Sequence, residues 1–135
     1  MTLPLVEEAV RLEEELERTR AFLVENGSVE PQPVGSVEGK EAAGSCALKP
    51  LVVGDNIMVL EVRMLAGFSL PEHAHEGMES AMYVVSGTMR WDVAGTPCVA
   101  RAGDAAYHPA GVPHTTLCLE DALFVEIKSP PRKVW

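Results

Sequence analysis

Two short stretches of the 135-residue chain decide its fold and its chemistry: GFSLPEHAHEGME at residues 67–79 and GDAAYHPAGVPH at residues 103–114. Together they contain all of the protein's histidines, which are His73, His75, His108 and His114. An extended strand places residues i and i+2 on one face, so the imidazoles of His73 and His75 can point inward together. If a distant strand adds His114, three neutral imidazoles can bind one divalent ion of iron, nickel, manganese, copper or zinc and leave positions open for water, oxygen or substrate.

From residue 46 onward, short β-rich runs alternate with turn signals such as GDN at residues 54–56 and SG at residues 86–87. Within one run, Met58, Leu60, Val62 and Met64 fall on one face, and polar residues fall on the other. Strands at this regular spacing, without helical patterns between them, predict a mainly β fold, an antiparallel β-sandwich or barrel.

The first 45 residues have a different texture. Apolar positions between Leu5 and Val24 recur in steps of three and four, which predicts one amphipathic N-terminal α-helix over residues 1–26, ended by Asn26 and Gly27. Residues 27–45 are rich in Gly and Pro and are interpreted as a connector without a packed core. Residues 46–135 then form the β-barrel domain, and the chain is one globular domain.

Composition excludes several classes of partner. The net charge of −9 disfavours nucleic acid and anionic membrane surfaces, because both require a basic footprint. Cys46, Cys98 and Cys118 form no Cys-x-x-Cys pair and indicate neither a disulfide framework nor a zinc knuckle. We therefore expect a cytoplasmic protein with a small-molecule substrate or ligand. We also expect a homodimer, because pairing across a two-fold axis covers the edge strands of a small sandwich.

The two histidine-bearing stretches resemble the two motifs of the cupin superfamily. The first motif runs G-x5-H-x-H, then three or four residues, E, six residues and G, and the second runs G-x5-P-x-G-x2-H-x3-N. The matching positions are Gly67, His73 and His75 in the first motif, and Gly103, Pro109, Gly111 and His114 in the second. The resemblance covers about Ala47 to Ser129 and is closest to small single-domain bacterial cupins of the cupin-2 type. It implies a jelly-roll barrel that binds one divalent metal ion.

The chain departs from the first motif at its carboxylate ligand. Glu79 follows His75 at an allowed distance, but seven residues rather than six then precede Gly87. Counting back from Gly87 puts Ser80 at the position of the ligand. Because a one-residue slip turns a side chain to the opposite face, Glu79 can be a fourth ligand only if a bulge shifts the register.

Further site residues are predicted around the histidines. Glu79 and His108 are the candidates for acid–base catalysis, and His108 could instead support a ligand or lie at the barrel rim. Cys118, at the position of the second motif's terminal Asn, is expected to face inward. The candidates for the pocket wall are Ser80, Met82, Trp91, Tyr107 and Cys118.

Two functions follow from these residues. The first is a metal-dependent enzyme acting on a small chelating metabolite, by isomerase- or lyase-type chemistry or, with iron, by dioxygenase-type chemistry. A three-histidine site without a carboxylate resembles the thiol and diketone dioxygenases of the superfamily, whereas the ending KSPPR at residues 128–132 resembles small cupins that act on uronate sugars. The second function is a non-catalytic cupin that binds or senses a small ligand.

Overall fold

A computed structural model describes residues 16–135, which form an antiparallel β-structure. A single 3-10 turn at Asn26–Ser28 precedes ten strands. The strands are β1 Gln32–Pro33, β2 Ser36–Val37, β3 Lys40–Glu41, β4 Cys46–Val53, β5 Met58–Met64, β6 Ser69–His73, β7 Glu79–Val93, β8 Thr96–Arg101, β9 Ala105–His108 and β10 His114–Ser129. This architecture confirms the predicted mainly β, antiparallel fold.

Two long strands organise the sheet. β10, of 16 residues, pairs with β7, of 15 residues, along most of its length, and the strand order is β1-β4-β5-β10-β7-β8. The first half of β10 also pairs with β6 and the second half with β5, while β7 pairs with β9 and then with β8. Register shifts between Cys118 and Phe124 bend β10 where its partner changes. The long strands therefore belong to both walls of the barrel.

Strict alternation of apolar residues explains the core. Met58, Leu60, Val62 and Met64 of β5 are buried, and the residues between them face outward or are partly exposed. β7 repeats the pattern, with Ser80, Met82 and Val84 buried and their neighbours exposed. The largest fully buried side chains of the core include Phe68, Met58, Leu60, Met78, Met82 and Met89.

Two glycines are required by the way β7 bends and turns. Ala94 and Gly95 both have positive φ, of 50° and 80°, as the two-residue hairpin turn between β7 and β8 demands. Gly87 has φ +82°, and a Cβ atom there would lie 2.1 Å from the carbonyl oxygen of Asp121. Gly87 thus permits the close approach of β7 to the bend in β10.

The predicted N-terminal helix is wrong over residues 16–24, which are irregular; residues 1–15 lie outside the described part of the chain. The backbone of Thr19 donates a hydrogen bond to the Val53 carbonyl at 2.9 Å, and the Thr19 hydroxyl accepts one from the Val53 N–H at 2.8 Å. Pairing with the end of β4 replaces the intrahelical bonds, so tertiary contacts override the helical pattern.

The segment 27–45 also differs from its interpretation as a connector without a packed core. It contains β1, which pairs with β4, and the β2–β3 hairpin. Val34 and Val37 are buried in the main hydrophobic core. This segment therefore forms part of the barrel wall, and it contributes a residue to the functional site described next.

Candidate functional site

Three histidines converge inside the barrel. His73 is the last residue of β6, and His75 lies in the loop that follows. His114 is the first residue of β10 and pairs with His73 across the sheet. Their ring centroids lie 4.3 to 5.2 Å apart, and one potential ligand atom from each lies within 4.8 Å of the others. All three side chains are buried. The structure therefore brings together the three predicted metal-ligating histidines, which we call the three-histidine cluster.

Each histidine of the cluster is held through its Nδ1 atom. The Nδ1 of His73 lies 2.8 Å from the Pro71 carbonyl oxygen, and that of His114 lies 3.1 Å from the Val112 carbonyl oxygen. Because a carbonyl oxygen can only accept, both Nδ1 atoms must donate, which leaves Nε2 with the free lone pair. A fixed tautomer of this kind is the usual support of a metal-ligating histidine. The donor set thus fits a divalent transition metal ion.

His75 is held by a carboxylate instead. Its Nδ1 lies 3.0 Å from Oε1 of Glu38, which sits in the turn between β2 and β3 and also receives Nη2 of Arg132 at 2.8 Å. Partial burial would raise the pKa of Glu38, but the hydrogen bonds from His75 and Arg132 outweigh burial and hold that pKa below its ordinary value. Glu38 is therefore an anion that orients His75. Nothing in the sequence motifs identified it.

Burial keeps two histidines of the cluster, His75 and His114, neutral. It lowers the pKa of His75 to about 4, assisted by the positive charge of Lys128, and it lowers the pKa of His114 to about 4 despite the opposing hydrogen bond to Val112. At neutral pH these imidazoles are unprotonated, which is the form that binds metal.

His108 lies beside the cluster but has a different environment. Its ring stacks on His114 with centroids 3.9 Å apart and meets the edge of Trp91 at 5.8 Å. Only 3% of its surface is exposed, and neither ring nitrogen has a hydrogen-bond partner among the described residues. Burial, with smaller contributions from His114 and Lys128, lowers the pKa of His108 to about 2. His108 is thus a neutral, unanchored imidazole.

A buried charge pair that the sequence reasoning missed faces the same cavity. Lys128 is 2% exposed, and its Nζ lies 3.1 Å from the Ser80 hydroxyl and 3.3 Å from Oε2 of Glu126. Phe124, Glu126 and Lys128 all line the cavity, as alternation along β10 requires. That alternation was the signal that could have identified the pair.

The cluster and the charge pair share one cavity. Its volume, counted as positions open to the centre of a water molecule, is about 50 Å³. One water needs roughly 10–15 Å³ by this measure, so several waters or a small ligand fit. The lining includes the histidines, Trp91, Phe124, Val134 and Trp135.

The C-terminal segment 130–135 closes one side of this cavity. Its contacts run to the β1–β3 region: the Val134 carbonyl accepts the Glu38 N–H at 2.8 Å, and the Trp135 indole donates to Gln32 Oε1 at 2.9 Å.

The structure does not bring Glu79 to the site. Glu79 is exposed at the start of β7, whereas Ser80 faces inward beneath Lys128. No bulge shifts the register there, since Ser80 pairs with both His108 and Lys128 in continuous ladders. The outward position removes Glu79 as a fourth ligand and as an acid–base group in this cavity, and Glu126 is the carboxylate that lines it.

The predicted pocket residues divide into three groups. Trp91 lines the cavity, as expected, but Tyr107 lies on the outer face with 54% exposure. Ser80, Met82 and Cys118 are buried without lining the cavity. The Cys118 thiol lies 3.0 Å from the Glu120 carbonyl, and burial raises its pKa, which gives it the character of an inert core residue.

Comparison with known proteins places the chain in a family. Residues 60–127, half of the chain, match the Cupin_2 family, described as a cupin domain. The protein belongs to this family, and the resemblance seen in its two histidine motifs is confirmed. No protein of curated function matches the sequence. Among residues 16–135, no helix is both long and apolar enough to cross a membrane.

Several solved structures share the fold. KdgF from Halomonas sp. is 24% identical with a TM-score of 0.71, over 84% of this chain and 97% of that one. An RmlC-like cupin from Shewanella frigidimarina is 21% identical with a TM-score of 0.74, over 87% and 97%. The polyketide cyclase RemF from Streptomyces resistomycificus is 21% identical with a TM-score of 0.70, over 84% and 82%. At these identities the likeness establishes the cupin fold.

Proposed function

We propose that this cupin is a metal-dependent enzyme that acts on a small, oxygen-rich metabolite able to chelate the ion. The anchoring of the three-histidine cluster carries the proposal, because every Nδ1 is engaged and every Nε2 is left for a ligand. His73, His75 and His114 would hold the metal. An all-imidazole donor set suits iron, nickel, copper or zinc better than manganese.

The cavity provides groups for chemistry on a bound molecule. A divalent ion would supply Lewis-acid polarisation or, if it is iron, oxygen activation. Neutral His108 can donate one hydrogen bond and accept another, and Glu126 can accept a proton. Trp91 and Phe124 keep the walls apolar, which strengthens electrostatic interactions inside. These groups serve isomerase- or lyase-type and dioxygenase-type chemistry, and the polyketide cyclase RemF is one enzyme with the same fold.

A second function is a non-catalytic cupin that binds or senses a small ligand. The inward position that a carboxylate ligand would occupy in the first motif is taken here by Ser80, which accepts from Lys128. A cluster without that carboxylate could serve to hold a ligand rather than to transform it. The two functions differ in whether the ion keeps an exchangeable position, since catalytic sites do.

The first test is elemental analysis of the untagged protein purified without added metal. Near-stoichiometric metal supports a metal protein, and a protein that neither contains nor takes up any transition metal contradicts the proposal. The metal-loaded protein is then assayed for oxygen uptake and for isomerisation or elimination with small hydroxy and oxo acids. Fast exchange of metal-bound water, measured by proton relaxation, supports the enzyme; a closed ligand shell supports the binding module.

We also propose a cytoplasmic homodimer. The outer face of β7, β9 and β10 exposes apolar side chains, with Tyr83, Tyr107 and Ile127 each at least 40% exposed. A second copy could cover this face. Solution scattering that gives the mass of a monomer at working concentration would contradict the dimer.

A further inference from the structure

We propose that the cavity contains an anion-binding subsite, formed by His108 and Lys128, that takes a carboxylate group of the ligand. The inference deepens the proposed function, on which it rests for identifying that ligand as the substrate. It narrows the substrate class to small carboxylic acids whose remaining oxygen atoms reach the three-histidine cluster. The binding of the carboxylate itself requires no metal.

The subsite is built by strand register. Ser80 on β7 pairs with His108 on β9 on one side and with Lys128 on β10 on the other. The three residues therefore form one row across the sheet, and all three are at least 97% buried. Neighbouring strands lie about 4.8 Å apart, so the backbones of His108 and Lys128 are separated by about 10 Å. Both side chains line the same cavity from opposite ends of this row.

His108 provides the first sign of a ligand. The other histidines of the cavity each donate Nδ1 to an oxygen atom, whereas both nitrogens of His108 lack a partner in residues 16–135. Burying a polar group without a hydrogen bond is costly, and native structures satisfy nearly all such groups. A ligand oxygen that accepts the His108 N–H would remove this cost.

Lys128 provides the second sign and determines the charge of the ligand. Its ammonium group has three N–H donors, and its contacts in the described chain are Ser80 at 3.1 Å and Glu126 at 3.3 Å. One donor therefore remains for another acceptor. Because this donor belongs to an ammonium group, it forms its strongest hydrogen bond with a negatively charged acceptor, with or without a metal ion at the cluster.

The size of the cavity favours a carboxylate. A volume of about 50 Å³ for water centres admits a planar group of a few atoms. A carboxylate is planar and has two oxygen atoms, one to accept from His108 and one to accept from Lys128. Its hydrogen bond with the ammonium group is charge-assisted. Because His108 stacks on His114 at 3.9 Å, a ligand held by His108 also lies next to the cluster.

The test uses the metal-free protein and a matched pair of probes, oxalate and its neutral amide oxamide. Calorimetry measures their affinity, and ¹H–¹⁵N NMR follows the ring nitrogens of His108. We expect oxalate to bind and to shift the His108 signals, and oxamide to bind at least about tenfold more weakly, because charge-assisted hydrogen bonds are the stronger ones. Equal binding of the two probes, or no oxalate binding, would overturn the inference.

Two substitutions of the charge pair should act in opposite directions. Lys128→Met keeps the length of the side chain and should weaken oxalate binding about tenfold or more. Glu126→Gln removes the competing carboxylate and should tighten it several-fold. Lys40→Met, at an exposed position of β3, is the control and should leave binding unchanged. If Lys128→Met fails to fold, the Glu126→Gln variant and oxamide still decide; weaker binding in Glu126→Gln overturns the subsite.

The outcome is separable from that of the proposed function. Metal content is measured on the wild type and anion binding on the metal-free protein. A protein without metal that binds oxalate refutes the metal enzyme and keeps the subsite. If the protein contains metal but its metal-free form does not bind oxalate, the subsite is refuted and the metal enzyme is kept.

Discussion

The four histidines of the barrel fall into two kinds that differ in how their rings are held. His73, His75 and His114 each donate Nδ1 to a fixed oxygen, whereas His108, stacked on the same group, has no partner for either nitrogen among residues 16–135. All four are buried, so burial alone does not distinguish them. The hydrogen bonds distinguish them. An anchored ring has the fixed tautomer that supports metal binding, whereas an unanchored ring keeps both nitrogens available for another partner.

Substituting one histidine of each kind should give the largest effect, a difference in metal content between the two variants. His75→Ala removes one of the three proposed metal ligands, and we expect metal content to fall from near one ion per chain to near zero while the barrel stays folded. His108→Phe keeps an aromatic ring at the site and should retain the metal. Elemental analysis of both variants, with circular dichroism as a check of folding, measures the difference. Equal metal loss in the two variants would show that anchored and unanchored histidines do not differ in metal binding.

Acid should destabilise the metal-free protein through the same residues. In the unfolded chain an imidazole titrates near 6.5, whereas in the folded protein the pKa is about 4 for His75 and His114 and about 2 for His108. Between these values the unfolded state binds more protons, so stability is complete above pH 6.5 and is lost as the pH falls toward 4. Between pH 7.5 and 5.5 the loss should be on the order of 4 kcal/mol, about one-third of it from each histidine.

Urea unfolding at several pH values between 7.5 and 5.5 measures this loss above the range in which most carboxylates titrate. The His108→Phe variant should show a shallower pH dependence than the wild type, because one of three titrating groups is gone. A free energy of unfolding that is flat across this range would contradict the prediction.

Removing the anchor of His75 should have a smaller effect than removing His75 itself. Glu38→Gln loses the negative charge that orients the ring, and loss of such an outer partner typically weakens metal affinity 10- to 100-fold. Competition with a chromophoric chelator measures the change. Glu41→Gln, exposed on the neighbouring strand β3, is the matched control. Unchanged affinity in Glu38→Gln would mean that the anchor is dispensable.

The smallest expected effect is a gain in stability. Replacing unanchored His108 with Phe removes a buried polar group that has no described partner, which costs roughly 1–3 kcal/mol when left unpaired. We expect the metal-free His108→Phe protein to be about 1 kcal/mol more stable than the wild type by urea unfolding at pH 7. Tyr107→Phe, on the exposed side of the same strand, should change stability by less than about 0.5 kcal/mol. A destabilised His108→Phe variant would show that His108 contributes to packing.

The sequence predicted the anchored part of the site better than the rest. The His-x-His pair and a third histidine in a second glycine- and proline-punctuated segment were enough to predict the cluster, because each motif is local. The expected single strand was not needed, since His75 lies in the loop after β6. Strand alternation likewise predicted the buried face of β5. The choice between Glu79 and Ser80 required the actual register of β7, which the spacing to Gly87 indicated but did not decide.

The remaining features depend on contacts between distant segments. Thr19 pairs with Val53, and this contact overrides a helical pattern that is regular in the sequence. Glu38 meets His75 across 37 positions, in a segment whose composition resembles a connector. No local pattern in the sequence indicates these two contacts. Alternation along β10 indicates the inward position of Lys128, but its contacts with Ser80 and Glu126 are seen only in the structure.

Surface hairpins usually tolerate changes in length, but the position of Glu38 should make the β2–β3 hairpin an exception. Glu38 and Gly39 form the two-residue turn between β2 and β3, with φ values of 50° and 73°. Turns of this kind ordinarily accept inserted residues. Here the carboxylate holds His75 and Arg132, and its own backbone N–H holds Val134. A single inserted residue would therefore misalign His75 and release the C-terminal segment together, so the length of this hairpin constrains the positions of both.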